Sequence, residues 1–236
     1  MTSNRPVALI LGSGPRVGAA VAKKFATTGY SVAIVSRKAT ETKDAHGVLS
    51  IKADLSDPSS VPRVFDAVKR EFQSAPSVVV YNGAAFTPPQ GDDLFSISAE
   101  QLASDLNTNT VSVWAAAQQA VKGWDTLTHH AHKVFIYTGN KQNTGIGPIL
   151  LTATLGVGKS ASAHLIGTAD GRYSKLGYRW VRRFFFYADE RTADGGPKAM
   201  QLDGDAHAEF FAQLARGEGD VPWHATFVKG KGYVKF

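Results

Sequence analysis

The sequence predicts a single α/β domain: a doubly wound parallel sheet with helices on both faces. Three observations carry this. Apolar runs of strand length alternate with segments of helical periodicity along the 236 residues, the pattern that right-handed crossovers turn into a parallel sheet. The first run, Val7–Leu11, is continuously apolar, as a strand buried on both faces requires. A glycine turn with Gly12, Gly14 and Gly18 follows it and opens a helical pattern in which Ala19, Val21, Ala22, Phe25 and Ala26 can share a face. Such a turn lets backbone N–H groups approach a pyrophosphate while the helix offers the anion its positive end. Its spacing, G-x-G-x-x-x-G, differs from G-x-G-x-x-G, and a tight turn without a ligand explains the same residues.

Composition narrows the classes. The formal net charge of +6 permits nucleic acid as a partner. The positive residues are scattered, however, with local clusters at Arg179, Arg182 and Arg183 and at Lys229, Lys231 and Lys235, and no nucleic-acid motif surrounds either. An anionic small molecule explains the charge as well, so a small-molecule substrate is expected rather than nucleic acid. There is no cysteine, which fits a reducing compartment. No leader pattern and no apolar run of bilayer length is visible. The expectation is a cytoplasmic protein with no membrane partner. No metal site is assigned.

The elements follow in order. Gly29 reads as a left-handed cap closing the first helix. A second strand, 31–35, ends in Ser36-Arg37-Lys38. Dinucleotide folds read the adenosine ribose there: an acid bonds the 2′-hydroxyl of NAD, and an arginine accommodates the 2′-phosphate of NADP. No acid is present, and Arg37, with Arg16 inside the glycine turn, makes NADP(H) the expected cofactor. A third strand, 48–53, ends at Asp54, a candidate acceptor for an adenine amino group, followed by Leu55. Asp57 and Pro58 read as the start of a helix running to Phe72. The fourth strand, 77–81, leads into Asn82-Gly83-Ala84-Ala85, small enough for close approach to a cofactor. Ser98 and Gln101 form a capping box for one long helix through Ala120, with Asn109 near its apolar face. The fifth strand, 133–137, opens into Thr138-Gly139-Asn140. A helix over 153–166 carries Lys159, a sixth strand spans 182–187, and 188–192 with Gly195-Gly196-Pro197 reads as loop. A helix over 205–215 and a strand over 225–228 complete the chain.

In this order the motifs resemble the short-chain dehydrogenase/reductase family over essentially the whole chain. The resemblance implies a Rossmann-like domain over 1–236, a substrate lid at about 188–222, and a homodimer or homotetramer. The family's glycine turn is T-G-x-x-x-G-x-G; here Gly12, Ser13, Gly14, Pro15, Arg16, Val17 and Gly18 follow Leu11, with Arg16 at the middle glycine. Asp54 matches its adenine-contacting aspartate. Asn82-Gly83-Ala84 looks like its N-A-G motif. Asn109 resembles the asparagine whose backbone holds a proton-relay water.

The catalytic signature departs from the pattern. Lys159 fits the lysine of Y-x-x-x-K, but the tyrosine position holds Leu155. The family's serine is matched by Thr138, with Gly139 the alternative. Tyr137, one residue before Thr138 on a strand, should face the other way. Leucine transfers no proton, whereas lysine can still hold the nicotinamide ribose. The sequence therefore points to an atypical NADP(H)-dependent reductase for an imine, iminium or conjugated carbonyl. Asp189, beside Glu190, is a candidate replacement acid, unless it pairs with Arg191 or Arg183. A fold that binds NADP(H) without turnover is the alternative.

Overall fold

A computed structural model describes residues 5–128, 130–145, 149–173 and 183–236. Arg179 and Arg182, including the expected first residue of the sixth strand, lie outside them. The sheet contains β1 (Val7–Leu11), β2 (Ser31–Ser36), β3 (Leu49–Lys52), β4 (Val78–Tyr81), β5 (Lys133–Thr138), β6 (Arg183–Glu190), β7 (His224–Val228) and β8 (Gly232–Tyr233). Their order is β3-β2-β1-β4-β5-β6-β7-β8. The pairs from β3 through β7 are parallel, and β8 closes the edge as an antiparallel hairpin on β7. The predicted fold class is therefore the observed one, a doubly wound Rossmann-like sheet.

Two helical layers cover it. Alternation along β1 sends Val7, Leu9 and Leu11 toward α2 (Ser60–Phe72), α4 (Ser112–Trp124) and α5 (Ala153–Tyr173). Ala8 and Ile10 face α1 (Val17–Thr27) and α6 (Gly204–Arg216). All five β1 residues are buried, which explains the unbroken apolar run. On the first layer Tyr81, Tyr137, Tyr187 and His224 occupy one register across β4–β7. Their ring centroids are spaced 5.9, 5.5 and 5.7 Å apart.

Three expectations need correction. The long helix over 99–120 is interrupted: α3 (Ala99–Leu106) passes into a π-helical turn, Asn107–Val111, before α4. Its capping box is present as expected, with both Ser98–Gln101 bonds formed. α2 begins at Ser60, and Asp57 closes the preceding turn by accepting from the Ser59 amide and hydroxyl. β6 continues through Ala188-Asp189-Glu190, which read as loop, because Ala188 is buried and both acids find partners. Within 188–222, the segment expected as a lid, strand takes the start and α6 the middle, with 191–203 an irregular crossing between them. β8 was not expected.

Candidate active site

The glycine turn and the loop after β4 form one cradle. A Cβ on Gly12, where φ is +93°, would lie 2.5 Å from the Gly83 amide, so these backbones touch. Asn82 Nδ2 donates to the Gly12 carbonyl at 2.9 Å. The Gly12 and Ser13 amides donate to Val35 O, tying the turn to β2. A Cβ on Gly18 would come within 2.6 Å of Ser13 Cα, so α1 must start on glycine. Gly14 faces open space. No side chain caps α1 and no acid sits in its first turn; the helix presents bare positive character there. This cradle fits a dinucleotide pyrophosphate. Val17 is buried beneath the turn, and buried Leu55 supports Gly83, whose added Cβ would meet Leu55 Cδ1 at 2.6 Å. Ala84 is exposed at the rim.

The two arginines part company. Arg37 is exposed after β2, and its charge contributes to holding Asp54 below the usual carboxylate range, behind the two hydrogen bonds from Ser56. Arg16 turns toward the far segment, where Nη1 donates to the Met200 carbonyl at 2.6 Å. α6 begins on Gly204 because a Cβ there would press on Arg16 O at 2.8 Å. Arg16 thus links the glycine turn to 191–203.

At the other end, Lys159 is buried on α5. Its Nζ donates to Thr138 O at 2.6 Å and lies 4.4 Å from the Tyr137 ring centroid. Burial pushes its pKa down to about 7, against the favourable field of Asp189. Leu155 lies one turn earlier, half-buried. Thr138 Oγ1 is buried without a hydrogen-bond partner. Gly139, the alternative match to the serine, has no room for a side chain: an added Cβ would sit 2.2 Å from Tyr187 Cε1. Tyr187 fills that space, with its hydroxyl donating to Asn140 O at 2.9 Å and accepting from Asn140 N at 3.1 Å.

Asn109 is a brace. Its side chain accepts from Ala85 N at 3.0 Å and donates to Ala85 O at 2.7 Å, fixing the cradle's second loop. The π turn frees its carbonyl, which accepts from Tyr137 Oη at 3.1 Å and Ser162 Oγ at 2.6 Å. A carbonyl oxygen has two lone pairs, and protein hydroxyls take both. Tyr137 is thereby turned into the helical layer, on the same side of the sheet as Lys159.

Asp189 is buried and pairs with Arg191 Nε at 2.5 Å, the partner considered in the sequence. Burial pushes its pKa up to about 6, although Arg191, Lys159 and Lys141 all favour the charged form. Glu190 points into the opposite layer, accepting from Asp203 N at 2.8 Å, with Lys198 and His207 nearby. Sequence reading missed the Tyr187 wedge and the Lys141–Gly195–Arg191 contact. A tyrosine near the same depth of three neighbouring strands was the available signal for the first.

The fold and cradle define an α/β domain of the nucleotide-binding Rossmann class. A family model described as enoyl-(acyl carrier protein) reductase matches residues 15–141. A short chain dehydrogenase/reductase, dmxR12 of Cryptosporiopsis sp. (strain 8999), is 40% identical over 98% of this chain and 95% of its own length. The chloroplastic NADPH-dependent aldehyde reductase 2 of Arabidopsis thaliana is 30% identical over 48% of each chain. The NADPH-dependent 3-quinuclidinone reductase structure from Rhodotorula rubra superposes with a TM-score of 0.73, at 18% identity, over 97% of this chain and 91% of that one. The chain belongs to the short-chain dehydrogenase/reductase family, whose members bind NAD(P)(H). Among the described residues, no helix is long and apolar enough to cross a membrane.

Proposed function

We propose that the protein is an NADP(H)-dependent short-chain reductase acting on a small organic metabolite without the family's tyrosine acid. One observation carries this: the glycine cradle after β1 and β4 and a buried Lys159 held at the end of β5 lie at the same, C-terminal end of the parallel strands, while Leu155 is four residues before that lysine. The bound cofactor would supply a hydride. The glycine turn and the first turn of α1 hold its pyrophosphate, Asp54 its adenine, and Arg37 its 2′-phosphate. Lys159 holds the nicotinamide ribose, and Asn109 keeps the 84–85 loop in place. Leu155 donates no proton, so the substrate is an electrophile that needs no strong acid: an imine or iminium, or a conjugated carbonyl. Thr138 offers an unpartnered hydroxyl. Asp189, with its pKa near 6, is the group able to carry a proton.

Exposed Val111, Trp114 and Val157 along the π turn, α4 and α5 support a homodimer or homotetramer. A cytoplasmic setting completes the reading, with the lack of cysteine consistent with it.

The Tyr187 ring against Gly139 favours a second reading, a non-catalytic NADP(H)-binding protein serving as a sensor or assembly subunit. NADPH consumption over a panel of plain ketones, conjugated carbonyls and cyclic imines separates the two. Turnover confined to the latter two classes is expected. NADPH binding with no consumption on any compound sinks the reductase reading and leaves the second.

A further inference from the structure

Charge is unbalanced at the chemical end of the site. Lys141, Lys159 and Arg191 surround one buried carboxylate, Asp189, whose ionisation responds to all three. Arg191 takes Asp189 as its ion pair. Lys159 is left with a neutral carbonyl and an aromatic face. Lys141 is left with the Gly195 carbonyl and the field of exposed Asp194 at the rim. Glu190 adds nothing here, since its partners Asp203, Lys198 and His207 lie in the opposite layer. His224, within the field of Arg191, has its pKa lowered, chiefly by burial. Tyr137 and Tyr187 are kept protonated by burial. With Arg191 paired to Asp189, Lys141 is the cation at this end whose hydrogen bond goes to a neutral oxygen on an exposed segment.

A second observation places it. Lys141 Nζ and Arg191 Nη1 converge on one oxygen, the Gly195 carbonyl, at 3.1 and 3.2 Å. They come from the β5 and β6 ends and meet on the segment that crosses the site. Two cationic donors on a single oxygen match a carboxylate better than a neutral carbonyl. The ends of the segment are anchored elsewhere, by the Arg191 amide on Phe227 O and by Asp203 on Glu190 and Lys229, whereas the Gly195 carbonyl itself is held by these two cations and the exposed Arg16–Met200 bond lies beyond it.

We propose that the site takes a carbonyl compound bearing a carboxylate, with Lys141 as the specificity-determining residue and the Gly195 carbonyl occupying the anion's place until it binds. This rests on the reading of the chemical end as a substrate site, and it chooses the conjugated carbonyl over a cationic iminium. An iminium would meet like charge from Lys141 and Lys159.

The test is calorimetric, on the full chain without cofactor. Two matched pairs serve as probes: benzoate against benzamide, and 3-benzoylacrylate against its methyl ester. Each acid should bind at least about tenfold tighter than its neutral partner, the size of one charge-assisted hydrogen bond. Lys141→Gln keeps an N–H donor and removes the charge; the preference should shrink to within about twofold. Lys141→Arg should retain it. Equal binding of acid and neutral partner, no binding of either, or a preference unchanged in Lys141→Gln overturns the proposal. NADPH is titrated separately. Its failure to bind would remove the reductase reading, while the acid preference is read without it.

Discussion

Lys159→Ala is expected to weaken NADPH binding by roughly ten- to a hundredfold and to lower reduction at least as much. A hydrogen bond from a charged donor is worth about 1.5–3 kcal/mol, and each 1.4 kcal/mol or so is tenfold. The lysine is poised for this by its surroundings. The Tyr137 ring lies 4.4 Å from the ammonium, and the Thr138 carbonyl fixes its position at 2.6 Å. A purely structural role would be betrayed by a second readout, the pH dependence of stability. Burial lowers the Lys159 pKa from 10.5 to about 7. Between those values the unfolded chain holds a proton that the folded chain does not. This group therefore makes stability rise as pH increases from about 7 toward 10. Denaturant unfolding should show that rise in the parent and its loss in Lys159→Met, which keeps the stem but cannot titrate. A rise that persists in Lys159→Met would show that the lysine is not buried as described. Unchanged NADPH affinity in Lys159→Ala would remove the ribose role.

Gly139→Ser, which puts a hydroxyl at the alternative match to the family's serine, is expected to destabilise the fold by about 2–3 kcal/mol through overpacking. For a chain of this size that is a Tm fall of roughly 5–10 °C. The cause is local: the new Cβ would lie 2.2 Å from the Tyr187 ring, and that ring is pinned by both polar atoms of Asn140. Tyr187→Ala alone should cost about 3–5 kcal/mol, as large-to-small changes in a core do. Together the two should be less damaging than their sum by at least about 1 kcal/mol, since the serine then occupies vacated space. Strict additivity of the two in thermal unfolding would mean that Tyr187 does not fill the serine's place.

These residues also show what was legible in the sequence. The Gly12–Gly18 turn, the Ser98–Gln101 box and the alternation of strands with helices all rest on local patterns, and each could be read directly. Arg37 was placed by its position at a strand end. The contacts that shape the chemical end join distant parts of the chain. Arg16 meets Met200, 184 residues away, so its guanidinium reads as a second phosphate ligand until the crossing segment is seen. Asp189 and Glu190 read as loop because two adjacent acids do not suit a strand interior. Their partners, Arg191 on one face and the Asp203 amide on the other, reverse that. The π turn was invisible because its cause is tertiary. A Cβ on Gly158 would lie 2.4 Å from Asn109 Cβ, and the Tyr81, Tyr137 and Ser162 hydroxyls satisfy the carbonyls of Thr108 and Asn109.

The cradle is the centre of the account, and equilibrium titration with NADPH and NADH tests it most directly. The parent should bind NADPH at least about tenfold tighter than NADH, the worth of a charge-assisted bond from Arg37 to the 2′-phosphate. Arg37→Asp should erase that preference while leaving NADH affinity within about threefold. Binding of neither nucleotide, or equal loss of both in Arg37→Asp, would contradict it.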